Sequence, residues 1–433
     1  MRLIARRAGQ GLGGRTRVPG DKSISHRAVM LGSLADGTTE VEGFLEGEDT
    51  RATARAFAAM GVAIEHPEPG RLRIHGRGLR GLQAPSVELD MGNSGTAMRL
   101  MAGILAAQAF PSTLIGDASL TQRPMARVTR PLEQMGADIR AREDRFAPLA
   151  IRPVAALHGR RFELEVASAQ VKSCLLLAGL YADGETTVVE PRATRDHSER
   201  MLTAFGAPPR IDGLAVSVRH CASLTATRIA VPADISSAAF PLVAGLLVPG
   251  SDIVLTEVGM NPRRTGLLHA LERMGADIVV DNARVLGGEP VADLRIRHAP
   301  LRGIEVPQAL VPDMIDEFPI LFIAAACAEG ETIVRSAEEL RVKESDRIAV
   351  MAQGLRTLGV DIEEAADGAC IRGGALAGGT VDSAGDHRCA MAFTIAGLVA
   401  RAPVEVLDCD NVATSFPGFV ELMRGLGGAI SAQ

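Results

Sequence analysis

The sequence predicts an α/β protein that is built from six copies of one internal repeat and divided into two similar domains. Two observations carry this prediction. A short phrase containing glycine recurs about every 70 residues, and a longer phrase recurs once, about halfway along the chain. A length of 433 residues also exceeds what one hydrophobic core usually serves, so two domains are expected on size alone.

The recurring glycine phrase predicts the second half of each repeat. It follows an apolar stretch at helical spacing, and its glycine is typical of a helix C-terminus that leads into a strand. The phrase occurs around Gly61, Gly136, Gly206, Gly275, Gly359 and Gly427.

An Ala-rich helix, a small turn and a strand predict the first half of each repeat. The turn is visible as Ala35-Asp36-Gly37, Ala182-Asp183-Gly184 and Ala328-Glu329-Gly330. Each repeat is therefore expected to run helix, strand, helix, strand, with one further strand.

The longer echo predicts a domain boundary near residue 231. Residues 18–25 (VPGDKSIS) are similar to residues 231–238 (VPADISSA), with three repeats between the two segments and three after the second. The first residues precede both sets and are expected to complete the later one. We therefore predict one domain from residues 1–20 and 232–433 and another from residues 21–231, with the active site in the cleft between them.

Composition excludes several classes of function. The net charge is −6, no basic stripe is present, and the chain has no Trp and a single Tyr, so a nucleic-acid partner is not expected. The start lacks the apolar run of a signal peptide, and no stretch suits a membrane span. Six widely separated cysteines, without metal-ligand spacing, are typical of small buried residues in a reducing compartment. We expect a cytoplasmic protein.

Lysine occurs only as Lys22, Lys172 and Lys343, although lysine and arginine together number 46. A coding bias toward arginine accounts for the other cations, because a solvated surface seldom distinguishes the two. Each lysine lies in a polar segment that contains serine, and lysine differs from arginine where a compact ammonium or a shorter reach matters. We therefore expect at least two of the three lysines to contact substrate.

Two polar helix starts predict anion-binding sites. Lys22, Ser23 and Arg27 stand at the start of a helix that Asp21 or Ser23 would cap, and residues 92–99 (GNSGTAMR) form a similar turn with a helix opening at Thr96. Helix N-termini bind anions through N–H groups and the helix dipole, and glycines let the backbone approach a ligand. Taken singly, each segment is also explained by a capping turn with solvated charges.

Arginines in similar turns indicate a substrate with more than one anionic group, because a guanidinium binds carboxylates and phosphates through two parallel bonds. Two carboxylates accompany them: Asp316 precedes an apolar helix, and Glu344 adjoins Lys343. An acid among cations stays ionised as a base, whereas a partly desolvated Lys or Glu can donate a proton near neutral pH. The set suits proton transfer between small molecules, and its arginines are Arg123, Arg195, Arg347 and Arg388.

No cofactor or metal is expected. Residues 9–14 satisfy G-x-G-x-x-G but lead into an Arg-rich segment rather than a helix, so a dinucleotide site is disfavoured. His26 and His387 adjoin the anion-binding positions without metal-ligand partners, which favours hydrogen-bonding roles.

Together, residues 19–27 (PGDKSISHR), 92–99 (GNSGTAMR), 341–347 (RVKESDR) and 385–388 (GDHR) closely resemble the 5-enolpyruvylshikimate-3-phosphate synthase family, and the resemblance spans the chain. It implies two domains, each of three βαβαββ units in an inside-out barrel-like arrangement. It also implies transfer of the enolpyruvyl group of phosphoenolpyruvate to the 5-hydroxyl of shikimate 3-phosphate, with release of phosphate, in aromatic amino-acid biosynthesis. The expected partners are these small molecules, and a monomer would suffice.

The resemblance further implies roles for individual residues. Asp316 would take the proton of the 5-hydroxyl, Glu344 or Lys22 would protonate the methylene carbon, and Lys172 would only support the Ser168 segment. The residues implied for shikimate 3-phosphate are Lys22, Ser23, Arg27, Ser168, Ala169, Gln170, Arg195, Asp316 and Lys343. Those implied for phosphoenolpyruvate are Lys22, Asn93, Gly95, Arg123, Gln170, Arg347 and Arg388.

Two departures resemble the family's second class, which is often associated with glyphosate tolerance. Ala169 stands where many members have a second serine, and Thr414 stands where many have a lysine that contacts phosphoenolpyruvate. Gly95, however, leaves room where an added methyl would crowd the inhibitor, which argues against tolerance.

Two alternatives remain at this point. The related enolpyruvyl transferase that acts on UDP-N-acetylglucosamine shares the repeat, but it usually has Asn after the lysine and a reactive loop cysteine, and Ser23 disfavours it. A non-catalytic anion-binding protein would keep the arginines but would not need Asp316 and Glu344 among them.

Overall fold

Helices alternate with single strands or groups of strands along residues 1–433, all of which are described by this computed structural model. The helices are α1 (Lys22–Leu34), α2 (Glu48–Ala59), α3 (Gly95–Leu105), α4 (Ala126–Gln134), α5 (Ala169–Gly179), α6 (His197–Ala204), α7 (Ile235–Leu247), α8 (Gly266–Arg273), α9 (Phe318–Ala326), α10 (Arg347–Thr357), α11 (His387–Gly397) and α12 (Phe419–Gly425).

The strands are short, and most belong to four-stranded sheets. They are β1 (Leu3–Ala5), β2 (Gly13–Thr16), β3 (Ala35–Asp36), β4 (Thr38–Glu42), β5 (Ala63–Glu65), β6 (Arg71–His75), β7 (Leu89–Asp90), β8 (Ser112–Ile115), β9 (Asp138–Arg142), β10 (Phe146–Arg152), β11 (Arg161–Glu163), β12 (Glu185–Val189), β13 (Arg210–Asp212), β14 (Ala215–Arg219), β15 (Leu224–Thr225), β16 (Arg228–Ala230), β17 (Asp252–Gly259), β18 (Asp277–Leu286), β19 (Glu289–Arg297), β20 (Glu331–Val334), β21 (Asp361–Ala365), β22 (Gly368–Arg372), β23 (Gly379–Asp382), β24 (Val404–Leu407) and β25 (Ile430–Ala432).

Six sheets share one strand pattern, in which a parallel pair at one edge is followed by two antiparallel strands. Five have four strands, in the orders β16-β4-β6-β5, β7-β8-β10-β9, β11-β12-β14-β13, β2-β17-β19-β18 and β23-β24-β1-β25. The sixth, β20-β22-β21, has a parallel bridge between Glu305 and Ile333 in place of the edge strand. The predicted α/β fold with a six-fold internal repeat is confirmed.

The chain divides into two compact units. Unit 1 comprises Met1–Pro19 and Pro232–Gln433, and unit 2 comprises Gly20–Val231. In unit 1 the N-terminal strand β2 pairs with β17, and β1 lies between β24 and β25. In unit 2 the late strand β16 pairs in parallel with β4 and completes the first sheet. Each unit has its own hydrophobic core.

The six predicted glycines end the second helix of every repeat. Each has a positive φ, between 83° and 103°, a backbone conformation that costs any residue with a Cβ but not glycine. The repeated phrase in the sequence therefore records a backbone requirement that occurs six times, at Gly61, Gly136, Gly206, Gly275, Gly359 and Gly427.

The first helix of every repeat is mostly buried, and the starts of α1, α3, α5, α9 and α11 carry residues of the candidate site. In α9, for example, all residues from Phe318 to Ala326 are buried, because the apolar run leaves no polar face. Oxygen atoms of Asp21, Ser94 and Ser168 accept hydrogen bonds from backbone N–H groups in the first turns of α1, α3 and α5. None of the helices combines the length and the apolar character needed to cross a bilayer.

The cysteines are all free thiols, and four of the six are buried. Burial raises the pKa of the Cys174 thiol to about 12, so this group stays protonated at neutral pH. The four buried cysteines agree with the sequence prediction of small buried residues, whereas Cys221 and Cys327 are only half-buried.

Candidate active site

The start of α1 in unit 2 carries a capped turn and an ion pair. Asp21 Oδ1 accepts from the backbone N–H of Ile24 at 2.9 Å, so Asp21 rather than Ser23 is the cap. Lys22 Nζ lies 3.0 Å from Asp49 Oδ2 at the start of α2. Both side chains are largely buried, and Asp49 is a member of the site that the motifs did not identify.

Arg27 occupies a polar slot between three helices. Its Nε donates to Ser198 Oγ at 2.7 Å, and its NH2 group donates to Ser173 Oγ at 2.7 Å. Its NH1 group donates to the carbonyl of Ser23 at 2.9 Å, which ties the guanidinium to the first turn of α1. The guanidinium is therefore held in one orientation by groups from α1, α5 and α6.

His26 is a buried neutral group beside this slot. Burial, followed by the positive charges of Lys22 and Arg27, holds the pKa of His26 well below its ordinary value. Its Nδ1 lies 2.8 Å from Thr53 Oγ1, and its Nε2 lies 3.4 Å from Ser94 Oγ, the cap of α3. His26 thus links the starts of α1 and α3 through hydrogen bonds, as the sequence predicted.

The start of α3 brings Asn93 and Arg123 together. The Arg123 NH2 group donates to Asn93 Oδ1 at 2.6 Å, and its NH1 group donates to the Asn93 carbonyl at 3.1 Å. Asn93 Nδ2 in turn donates to Asp117 Oδ2 at 2.8 Å, and Ser94 caps the helix through the N–H of Ala97 at 3.1 Å. The helix begins at Gly95, one residue before the predicted Thr96.

The side chain of Arg99 lies beside both Gly95 and Gln170. The sequence assigned no role to Arg99. Arg99 NH1 donates to Gln170 Oε1 at 2.7 Å, and Gln170 Nε2 donates to Thr96 Oγ1 at 2.9 Å. A methyl group added at Gly95 would lie 2.9 Å from Arg99 NH1 and 3.5 Å from Arg123 NH1. The first neighbours of Gly95 are therefore guanidinium groups.

The start of α5 carries Ser168, Ala169 and Gln170, all half-buried. Ser168 Oγ accepts from the N–H of Val171 at 3.4 Å, and Ala169 is the first helical residue. Arg195 is half-buried in the segment between β12 and α6. The turn that precedes α5 is therefore a capped helix start, as in α1 and α3.

The structure corrects the sequence interpretation of Lys172 as a residue that only supports the polar Ser168 segment. Lys172 lies inside α5, its side chain is only 2% exposed, and its Nζ contacts Glu190 Oε2 at 2.8 Å and Glu199 Oε1 at 2.7 Å. Both glutamate side chains are also buried. The ammonium is thus part of a buried group of three charges, which could not be inferred from the neighbouring serines.

Arg347 is the centre of the second cluster, which lies in unit 1. It is the first residue of α10, its side chain is 1% exposed, and its Nε donates to Asp386 Oδ2 at 2.8 Å. Its NH2 group donates to Glu344 Oε2 at 2.6 Å. Burial opposes the charged form, but the carboxylates of Asp386, Glu344 and Asp316 outweigh it and raise the pKa of Arg347 above its ordinary value. Arg347 is therefore a permanent buried cation.

Asp316 lies beside this cation, just before α9. Its Oδ1 is 3.7 Å from Arg347 NH1 and 3.9 Å from Lys343 Nζ, while its carbonyl accepts from Arg388 NH1 at 3.2 Å. The neighbouring Glu317 is buried, accepts from Ser236 Oγ and lies 3.9 Å from Arg388 NH1. The side chain of Asp316 is only 16% exposed, and its carboxylate lies near the cations Arg347 and Lys343.

Thr414 is buried at the end of a short 3₁₀ turn, Asp410–Thr414. Its hydroxyl donates to the carbonyl of Asn411 at 2.6 Å. The position where many resembling sequences have a lysine is therefore occupied here by a small side chain that closes its own turn.

The residues implied by the motifs form one connected cluster in each unit. Unit 2 brings together the starts of α1, α3 and α5, and unit 1 joins Asp316, Lys343, Glu344, Arg347 and Arg388. The motifs assigned no role to the anionic partners Asp49, Asp117 and Asp386, although Asp386 belongs to the segment 385–388. For Asp386 a signal was present, because it stands directly before His387 and Arg388 in the position of a helix cap.

Comparison with known proteins places these features in a family. A family model for EPSP synthase (3-phosphoshikimate 1-carboxyvinyltransferase) matches residues 7–423. The 3-phosphoshikimate 1-carboxyvinyltransferase of Methylococcus capsulatus is 62% identical over 414 residues, which cover 96% of this chain and 95% of that protein. The Acidithiobacillus ferrooxidans protein of the same name is 62% identical over 423 residues, or 97% of each.

Solved structures give the same result. An EPSP synthase from Acinetobacter baumannii is similar with a TM-score of 0.90 at 50% identity, and the match covers 100% of both chains. The architecture and the similar proteins define a carboxyvinyl transferase. Within that class, the chain belongs to the EPSP synthase (3-phosphoshikimate 1-carboxyvinyltransferase) family.

Proposed function

We propose that this protein transfers the enolpyruvyl group of phosphoenolpyruvate to the 5-hydroxyl of shikimate 3-phosphate, releasing phosphate, in the shikimate pathway of aromatic biosynthesis. The observation that carries the proposal is the arrangement of Asp316 and Glu344 around the buried cation Arg347, in a chain of this family. A protein that only bound anions would not need carboxylates at this position, because they repel an anionic ligand.

In this proposal the cations divide between the two substrates. Shikimate 3-phosphate is bound by Lys22, Ser23, Arg27, Ser168, Ala169, Gln170, Arg195, Asp316 and Lys343. Phosphoenolpyruvate is bound by Lys22, Asn93, Gly95, Arg123, Gln170, Arg347 and Arg388. Helix starts and guanidinium groups suit both ligands, because each ligand carries a carboxylate and a phosphate.

The reaction then requires two proton transfers and the loss of phosphate. Asp316 takes the proton of the 5-hydroxyl as the hydroxyl oxygen bonds to C2 of phosphoenolpyruvate. Glu344 or Lys22 protonates the methylene carbon. In the resulting tetrahedral intermediate, the C2–O bond to phosphate breaks and one proton leaves the methyl group, which restores the double bond. The same acid and base act in opposite directions in the two halves.

The proposed ligands come from both units, so the proposal requires the predicted two-domain organisation. Closing around the substrates would exclude water from the intermediate. A monomer suffices for such a site, and a cytoplasmic location suits a pathway of small phosphorylated metabolites.

Phosphate release from phosphoenolpyruvate is the direct test. We expect release that requires shikimate 3-phosphate and gives one equivalent of 5-enolpyruvylshikimate 3-phosphate per phosphate. Release supported by UDP-N-acetylglucosamine instead would favour the other enolpyruvyl transferase. Saturable binding of both substrates without release would favour an anion-binding protein and contradict the proposal.

Gly95→Ala is expected to weaken phosphoenolpyruvate binding without unfolding the protein. The new methyl would displace Arg99 NH1, the end of a flexible side chain, and so disturb its 2.7 Å bond to Gln170. We expect KM for phosphoenolpyruvate to rise about tenfold, equivalent to about 1.4 kcal/mol. The glyphosate concentration for half inhibition should rise further, if the methyl crowds that inhibitor.

Gly425→Ala is the matched control, because a methyl at Gly425 would have nothing within 4 Å. Steady-state kinetics of both variants and of the parent protein give the comparison. Unchanged glyphosate inhibition in Gly95→Ala would show that the steric account of this position is wrong.

A further inference from the structure

We propose that Lys172 is a positioning residue, which aligns Arg27 and Arg195 for shikimate 3-phosphate by holding Glu190 and Glu199. The inference rests on the proposed function, in which both arginines bind that substrate. Lys172 does not itself touch the ligand in this account. Its effect passes through the helix start and the segment that it holds in place.

Lys172, Glu190 and Glu199 form a buried group of three charges. Lys172 Nζ contacts Glu190 Oε2 at 2.8 Å and Glu199 Oε1 at 2.7 Å, and the three side chains are only 2%, 3% and 4% exposed. An ammonium has three donors that point in different directions, so it can bind two carboxylates at once. Within the low dielectric of the interior, these contacts fix the three side chains firmly.

Helices α5 and α6 are joined at two successive positions. One contact is the ion pair between Lys172 and Glu199. The other is the hydrogen bond from Ser198 Oγ to Ser173 Oγ at 2.7 Å, made by the next residue of α5 and the preceding residue of α6. These two contacts set the separation of the two helices at this level.

The orientation of Arg27 depends on the separation of α5 and α6. The two serine oxygens joined by that bond are the acceptors of Arg27 Nε and NH2, each at 2.7 Å. Arg27, Ser198 and Ser173 thus form a closed ring of hydrogen bonds. A guanidinium is rigid and planar, so a change in the distance between the two hydroxyls must tilt it or break one of its bonds.

Lys172 is also linked to the segment of Arg195, through Glu190. Glu190 directly follows β12, and its carboxylate accepts from the backbone N–H of Thr194 at 3.4 Å and from the Thr194 hydroxyl. Arg195 is the next residue. By holding Glu190, Lys172 therefore also holds the segment that carries Arg195.

The same geometry explains why lysine persists in a chain whose cations are nearly all arginine. The space between the two carboxylates is closed, and both contacts are short. A guanidinium is wider and planar, and it could not bind both carboxylates at these distances without moving α6 or the Glu190 segment. The third lysine therefore marks a position that supports substrate-binding residues.

Lys172→Arg tests the inference because it keeps the charge and changes only the shape. We expect KM for shikimate 3-phosphate to rise at least about tenfold, while KM for phosphoenolpyruvate and kcat each change less than about threefold. Cys174→Ala is the matched control: it removes a buried atom from the same helix, outside the charge group, and should lower the melting temperature without changing either KM.

A neutral variant covers the case in which Lys172→Arg does not fold. Lys172→Met combined with Glu190→Gln and Glu199→Gln leaves no unpaired buried charge, so the fold should persist while the contacts that set the spacing are lost. The same selective rise in KM for shikimate 3-phosphate is expected. A lower melting temperature with an unchanged KM in both variants would reduce Lys172 to a purely structural role and overturn the proposal.

A second measurement separates this inference from the proposed function. In wild-type protein with ¹⁵N-labelled arginine, the Nε–H of Arg27, assigned with Arg27→Met, should exchange slowly with water because it donates to Ser198. In Lys172→Arg the exchange should be at least about tenfold faster. If the wild type does not use shikimate 3-phosphate, the proposed function fails, and this rate then still decides whether Lys172 positions Arg27. Equal exchange rates would contradict it.

Discussion

Asp316→Asn is expected to lower kcat by about 10²- to 10⁴-fold, the usual contribution of a positioned general base. Asparagine keeps the size and the acceptor oxygen of the side chain but cannot take up the proton of the 5-hydroxyl. The cations Arg347 and Lys343 lie 3.7 and 3.9 Å from the carboxylate in unit 1, and Arg347 keeps its closer partners Asp386 and Glu344 in the variant. The variant should therefore fold and bind substrates while the chemical step becomes slow.

The measurement is phosphate release under saturating substrates, together with the reverse reaction. A group that is the base in one direction is the acid in the other, so the variant should slow both directions by a similar factor. Binding of shikimate 3-phosphate, measured by calorimetry, should weaken less than about tenfold, since only one of several polar contacts changes. A loss in binding that matched the loss in kcat/KM would instead limit Asp316 to substrate binding and contradict its role as the base.

Asp277→Asn is a suitable control for the loss of an ion pair. Asp277 pairs with Arg297 at 2.9 Å, but its side chain is 41% exposed, so its removal should cost less than about 1 kcal/mol and leave kcat unchanged. A normal kcat in Asp316→Asn would contradict the assigned role of Asp316. The search for the base would then move to Glu344.

The fold was predictable because its signals are local. Each glycine of the repeat ends its own helix, and Asp21 and Ser94 accept bonds from N–H groups three residues later. Such features depend on the few residues around them, so they can be recognised before the tertiary structure is known. The repetition strengthens them, since six copies of one pattern are much less ambiguous than one.

The candidate site was less predictable, because its partners are far apart in the sequence. Asp386, the partner of Arg347, lies 39 residues away, and the motifs that contain the two residues did not indicate that they pair. The lysine count correctly marked Lys172 as unusual but could not distinguish a ligand contact from a buried ion pair, because both need a compact ammonium. Which explanation applies depends on Glu190 and Glu199, and that requires the packing of α5 against α6.

Asp386→Asn is expected to destabilise the fold by about 3–5 kcal/mol at pH 7, the usual cost of removing one partner of a buried ion pair. Asn can still cap α11, so the change isolates the charge. Asp386 is fully buried, and its Oδ2 accepts from Arg347 Nε at 2.8 Å. Without the carboxylate, Arg347 keeps only Glu344 and the more distant Asp316, so KM for phosphoenolpyruvate should also rise.

The pH dependence of this effect has a definite sign. Burial would raise the pKa of Asp386, but the charge of Arg347 outweighs it, and the pKa lies below its ordinary value. The carboxylate therefore stabilises the fold fully above the unfolded pKa, about 3.9, and this contribution is lost as the pH falls through the folded value. The stability difference between wild type and variant should be constant from pH 8 to about pH 5 and narrow below about pH 4.

Urea unfolding at a series of pH values measures this difference, and Asp346→Asn provides the matched control. Asp346 also caps a helix and also pairs with an arginine, Arg341 at 2.7 Å, but its side chain is 37% exposed. Because water screens that pair, its loss should cost less than about 1 kcal/mol. Equal losses of stability in the two variants would show that burial does not strengthen the Arg347–Asp386 pair. Other contacts would then have to hold Arg347 in its position beside Asp316.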